Sequence, residues 1–174
     1  NVGTAVITIN GKGNYTGTVT KTFKITAASI KSGKITGADG SYTYNGKEKK
    51  PTVSFTLGTA KLRSGVDYTV SYKNNTNAGN AVVTVTGKGN YAGSVTKTFK
   101  INGASIAKAK VSGLQPSYTY KGNVKKPALK VQLGSKVLKN GTDYTITYKN
   151  NVNVGKATIT IKGKGNYAGT ITQT

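Results

Sequence analysis

The chain contains no cysteine, histidine, tryptophan or methionine, and only four acidic residues against 26 Lys and Arg. Without cysteine there is neither a disulfide framework nor thiol chemistry. Without Cys or His a zinc site has no ligands of its usual kind, and calcium needs several carboxylates converging on one point. Asp39, Glu48, Asp67 and Asp143 are scattered, so no paired carboxylates for general acid–base work are expected. The sequence therefore reads as a non-enzyme, with no catalytic residues, no metal and no cofactor. No run of about 18 apolar residues occurs, so no membrane-spanning helix and no membrane insertion are expected.

The charge that is present has one sign. The formal net charge is +22, and Arg63 is the one arginine. Such a chain attracts polyanions through long-range forces that salt screens. Nucleic acid, teichoic or acidic polysaccharide, sialylated or sulfated mucin and anionic membrane are the classes to weigh. Arginine's planar fork is what reads guanine and phosphate bidentately, so its near-absence argues against specific nucleic-acid recognition. Lysines acting as point charges fit a diffuse attraction.

A repeat organises the chain. Gly87-Lys-Gly-Asn-Tyr-Ala-Gly-Ser-Val-Thr-Lys-Thr-Phe-Lys-Ile101 recurs almost unchanged from Gly11 to Ile25 and, shortened, from Gly163 to Thr174; Gly11, Gly87 and Gly163 stand 76 residues apart. A fixed period marks a tandem array. The preferred division makes residues 1–26 the C-terminal hairpin of a preceding, truncated repeat, residues 27–102 one repeat, and residues 103–174 a second that stops short of its last strand. A phase of 1–76 and 77–152 covers the chain equally, but Asn74-Asn75-Thr76-Asn77 reads as a tight turn rather than a linker. Because it begins and ends within repeats, the chain is expected to be a fragment whose targeting signals lie outside it. The junctions at 26–28 and 102–104 are short, which suggests a semi-rigid string.

Period-two alternation runs through every repeat. Ala5, Ile7 and Ile9 share one strand face, and Val53, Phe55 and Leu57 share another, as do Tyr68, Val70 and Tyr72. A short basic strand is expected around Ile30–Ile35, and Tyr42–Tyr44 is expected to close into a hairpin through Asn45-Gly46. No segment has helical periodicity. About seven short strands per repeat, separated by turn residues, argue for an all-β sandwich. The 1–26 hairpin is marginal alone and is expected to add to a neighbour's sheet.

The run Gly-x-Asp-Tyr-Thr-[Val/Ile]-x-Tyr-Lys-Asn-Asn at 65–75 and 141–151, followed by Gly-Lys-Gly-Asn-Tyr-x-Gly and Thr-Lys-Thr-Phe-Lys-Ile, resembles the bacterial immunoglobulin-like tandem repeats of Gram-positive cell-surface and adhesin proteins, including mucin-binding-type repeats. The resemblance covers nearly the whole chain. It implies tandem immunoglobulin-like β-sandwich domains, an extracellular or secreted, cell-wall location, and a structural stalk or adhesion role. It transfers no ligand residues.

The tyrosines recur at the repeat offset, as Tyr15/Tyr91/Tyr167, Tyr42/Tyr118, Tyr44/Tyr120, Tyr68/Tyr144 and Tyr72/Tyr148. Tyr68 and Tyr72 lie on an apolar face and read as core. Tyr42, Tyr44, Tyr118 and Tyr120 are the candidates for exposed contact with a glycan. Among the lysines, Lys49, Lys50, Lys125 and Lys126 keep position beside Pro51 and Pro127 and are the candidates for a polyanion contact. Many others do not keep position, which fits solvated faces and protected edges. Asp67 and Asp143 read as turn residues accepting backbone N–H groups. The expected partners are neighbouring repeats and an anionic cell-wall polymer or host mucin. The reading is an extracellular spacer and adhesion module with diffuse lysine-based attraction. The alternative is a specific binding module for a host glycan or protein, using loops and exposed Tyr and Lys.

Overall fold

The computed structural model describes residues Asn1–Thr174, which form an all-β chain of strands and turns without a helix. Its contacts divide into two compact units. Unit 1 comprises Asn1–Gly40, Lys50–Lys73 and Ala81–Phe99; unit 2 comprises Ser41–Lys49, Asn74–Asn80 and Lys100–Thr174. Thus the loops 41–49 and 74–80 group with the second repeat's residues although they belong to the first repeat in sequence.

Unit 1 opens with β1 (Gly3–Asn10) and β2 (Thr18–Ile25), an antiparallel ladder in register from Gly3↔Ile25 to Asn10↔Thr18. The glycine loop between them closes with Gly11 N–H donating to Gly17 O at 2.9 Å. The expected strand at Ile30–Ile35 is instead two short strands flanking a turn: β3 (Ala28–Ser29) and β4 (Lys34–Thr36), with Gly33 N–H donating to Ile30 O. The same turn recurs in the second repeat, where Ala109 N–H donates to Ile106 O and Ile106 is buried like Ile30, so it belongs to the repeat and not to glycine. In the first repeat a Cβ on Gly33 would lie 2.0 Å from Cζ of Phe55, so the backbone passes close over that ring. β5 (Ser41–Thr43) belongs to unit 2. β6 (Ser54–Leu57) pairs antiparallel with both β4 and β7 (Ala60–Leu62). β8 (Tyr68–Lys73) pairs antiparallel with β9 (Gly79–Gly87) in register from Tyr68↔Gly87 to Lys73↔Val82. β10 (Tyr91–Ala92) pairs in parallel with β3, and β11 (Ser94–Asn102) carries Phe99 into the core. Ile30, Ile35, Phe55, Leu62, Tyr68, Val83 and Val85 form that core, with the Phe55 and Tyr68 rings 5.7 Å apart.

In unit 2 the end of β11 pairs in parallel with β5, from Lys100↔Ser41 to Asn102↔Thr43. The expected hairpin through Asn45-Gly46 is therefore not formed. Lys47 N–H donates to Asn45 Oδ1, an Asx-type turn, and the chain leaves toward Pro51, whose missing N–H cannot extend a ladder. The remaining strands are β12 (Ala104–Ser105), β13 (Lys110–Ser112), β14 (Lys130–Leu133), β15 (Lys136–Leu138), β16 (Tyr144–Lys149), β17 (Thr158–Gly163), β18 (Tyr167–Ala168) and β19 (Thr170–Gln173). They form the sheets β13-β14-β15 and β16-β17-β19, with β12 parallel to β18. Ile106, Val131, Leu138, Tyr144, Ile159, Ile161 and Tyr167 make the core, and Ala109 packs against it. Ala109 and Val131 stand 76 residues on from Gly33 and Phe55, so the second repeat has a larger residue at the first position and a smaller one at the second.

Asparagine holds several turns by one rule in both repeats. Asn74 and Asn150 sit at φ 57° and 56°, the left-handed region that asparagine tolerates better than most residues. Next to them, Asn75 Nδ2–H donates to Lys49 O (3.0 Å) while Lys49 N–H donates to Asn75 O (2.7 Å); Asn151 and Lys125 make the same pair of bonds at 2.7 and 2.8 Å. Within unit 1, Val2 N–H donates to Asn90 Oδ1 and Asn90 Nδ2–H to Asn1 Oδ1. Within unit 2, Ala78 N–H donates to Asn166 Oδ1 and Asn166 Nδ2–H to Asn77 Oδ1.

Candidate functional site

The carboxylates serve turns and ion pairs. Asp67 Oδ2 accepts Arg63 N–H at 2.8 Å and Arg63 Nε–H at 3.2 Å, and Asp143 Oδ2 accepts Lys139 N–H at 2.9 Å. The Arg63 backbone N–H, and then its guanidinium, hold the Asp67 carboxyl below the usual carboxylate range. Asp39 is lowered in the same sense by its hydrogen bond from Lys97. No three of Asp, Glu, His and Cys gather as a metal would require.

The lysines cover the surface. Only Lys49, Lys97 and Lys125 are half-buried, and the rest are exposed. Four carboxylates cannot neutralise 26 cations, so most of the positive charge faces solvent.

The concave feature of unit 2 is a groove of about 510 Å³ between the segment 114–120 and the loop 150–157. Tyr118, Tyr120, Lys125, Pro127 and Tyr148 line it, with Ile159 at its base. Tyr118 is 43% and Tyr120 56% exposed. The Tyr118 hydroxyl accepts Gln115 N–H at 3.0 Å, and the Tyr148 hydroxyl donates to Pro127 O at 3.3 Å. Burial, with Tyr118 adding to it, pushes the Tyr148 phenol up.

The eight candidate residues do not form one site. Tyr118, Tyr120 and Lys125 share the groove, while Lys126 is exposed outside its lining. Tyr42 and Tyr44 are half-buried rather than presented to solvent. Tyr42 is paired through β5, and the Tyr44 ring meets that of Tyr167 edge-on at 5.7 Å. Lys49 Nζ is bonded to Asn45 Oδ1, and Lys50 is exposed.

One participant escaped sequence reasoning. Lys136 Nζ lies 5.4 Å from the Tyr167 ring centre and 5.9 Å from that of Tyr44, a cation–π arrangement. A hydrogen bond to Tyr167 raises the Lys136 ammonium pKa. Its repeat counterpart is Ala60, so no recurrence in the sequence marked it.

Compared with protein-family models, characterised proteins and solved structures, the chain matches none. The arrangement presents surfaces suited to binding. It offers a broad cationic surface and one groove with tyrosine walls.

Proposed function

We infer that the chain is part of an extracellular tandem array of immunoglobulin-like β-sandwich repeats, serving a bacterial surface protein as spacer and adhesion module. Its lysine-rich faces hold anionic cell-wall or host polymers by diffuse attraction. The observation that carries this reading is the distribution of charge: 26 cations, none buried, spread around both units rather than gathered about one cavity. The repeated asparagine bonds at Asn90 and Asn166 favour the array, because the same joint recurs with the sequence period.

Binding of the chain to teichoic polymer, mucin and DNA over a salt series tests it. Comparable binding to all three, collapsing as salt rises past a Debye length of about 8 Å at 0.15 M, is the expected result. The second reading, a specific glycan- or protein-binding module, rests on the exposed Tyr118 and Tyr120. Selective binding to one polymer that survives high salt and is lost in Tyr118→Ala/Tyr120→Ala would replace the first reading with the second.

A further inference from the structure

Asn-Gly occurs four times in the chain, at 10–11, 45–46, 102–103 and 140–141. In this dipeptide the backbone nitrogen can attack the preceding side-chain amide with least obstruction, because glycine has no Cβ and the freest backbone. The structure holds three of the four pairs away from that reaction. Gly11 N–H donates to Gly17 O at 2.9 Å, and Asn10 Oδ1 accepts the Thr18 hydroxyl at the same distance. Gly141 N–H donates to Tyr144 O at 2.7 Å. Asn102 ends β11, held extended beside Thr43, and Gly103 is half-buried against Tyr167 and Ala168.

Asn45-Gly46 is different. Both residues are exposed, and Gly46 has φ 78° with open space where a Cβ would stand. Its N–H donates to no group of the chain. The Asn45 Oδ1 accepts Lys47 N–H at 3.1 Å and, in addition, the Lys49 ammonium. A main-chain donor and a cation thus converge on the oxygen where negative charge grows when the amide carbon is attacked, as in an oxyanion hole. We propose that Asn45 is a self-modification site: the Gly46 nitrogen attacks its side-chain amide, Lys47 N–H and Lys49 Nζ stabilise the oxyanion, and aspartate and isoaspartate result.

The chemistry needs only solvent. The Gly46 nitrogen gives its proton to water or hydroxide and bonds to Asn45 Cγ, placing the charge on Oδ1. Collapse of that oxyanion breaks the bond from Cγ to the side-chain nitrogen, which takes up a proton and leaves as ammonia. Water then opens the cyclic imide. Cleavage at Cγ gives aspartate, and cleavage at the main-chain carbonyl carbon gives isoaspartate, with one added carbon in the backbone. One water enters, one ammonia leaves, and nothing is oxidised or reduced. The second repeat supplies a control within the same chain. There Lys125 Nζ donates to Asn123 Oδ1, so the cation is present, but the next residue is Val124, whose branched Cβ obstructs the nitrogen.

Peptide mapping by mass spectrometry of the full chain, incubated folded at neutral and mildly alkaline pH, follows acid formation at each asparagine. Asn45 should convert at least about tenfold faster than Asn10, Asn102, Asn123 and Asn140. Its rate should rise with pH, because the attacking nitrogen must lose a proton. In urea, where the turns that distinguish them are gone, the four Asn-Gly pairs should agree within about twofold. Lys49→Gln should slow Asn45 by about three- to tenfold, less than a donor is worth in a dry site, because solvent takes its place. Lys47→Gln removes an equal charge nearby but keeps the Lys47 N–H, and should change the rate by less than about twofold. Conversion at Asn45 no faster than at the other three pairs in the folded chain would overturn the proposal. So would a preference for Asn45 that persists in urea, or equal slowing by both lysine variants.

Discussion

The hairpins β1–β2 and β9–β11 have nearly one sequence and two fates. Phe23 is 50% exposed where Phe99 is 5% exposed, and Ile25 is 41% exposed where Ile101 is fully buried. Local sequence sets the ladder and the glycine loop in both, since Gly11 and Gly87 each close it by donating to the glycine six residues on, at 2.9 Å. It does not set burial. That comes from the strands laid against the hairpin, which β9–β11 has and β1–β2 lacks. A period-two pattern therefore announces a face that needs covering, while other parts of the chain decide whether it is covered.

The comparison breaks most sharply on the phenylalanines. Phe99→Ala should cost about 3–5 kcal/mol in denaturant unfolding, the range for removing a buried aromatic ring. Phe23→Ala, at the equivalent position, should change it by less than about 0.5 kcal/mol, as exposed sites do. Equal losses would mean that β2 is covered in solution.

A smaller effect concerns the core pair that differs between repeats. Gly33→Ala pushes a methyl into the Phe55 ring and should cost about 1–3 kcal/mol, as overpacking does. Adding Phe55→Val, which reproduces the Ala109/Val131 pair, should recover much of that loss. A double-mutant cycle measures the coupling directly, and strict additivity would show that the contact carries no energy.

The smallest effect is electrostatic. The folded-state pKa of Asp67 lies below that of the unfolded chain, so its stabilising contribution is full above the ordinary carboxylate range. It is lost as pH falls through the lower, folded value, that is, below about pH 4. Asp67→Ala should therefore flatten the acid limb of a Tm–pH profile and leave its neutral shape alone. Arg63→Ala should flatten it part of the way, because the Arg63 backbone N–H remains.

Much of the strand plan was legible in the sequence, because alternation and turn residues act over a few positions. Tyr68-Val70-Tyr72 turn in their face as the alternation requires, and Phe55 is buried as expected, although Ser54 and Thr56 are as half-buried as Val53 and Leu57. Two local readings failed where a distant contact intervened. Asn45-Gly46 carries the strongest short hairpin signal, yet β5 pairs with Lys100–Asn102, more than fifty residues on. Ile30–Ile35 reads as a strand, but the chain turns there to pair β3 with β10 and β4 with β6, strands far along the sequence. The candidate site was legible only in part for the same reason. Ser-Tyr-Thr-Tyr is one sequence in two places, and only the neighbouring strand distinguishes a paired Tyr42 from an exposed Tyr118. Lys136 had no counterpart in the first repeat by which to be noticed.

The Gly33–Phe55 contact also bears on how such an array can change through its gene. Tandem copies this alike invite unequal recombination, and a crossover falling between the codons of positions 33 and 55 shuffles the two solutions to the same core. One product joins Ala109's residue to Phe55's and is overpacked; the other joins Gly33's to Val131's and leaves a hollow. Exchanges outside that interval carry the pair intact. The stretch from Gly33 to Phe55 is thus expected to be inherited as a block, however freely the lysines around it drift.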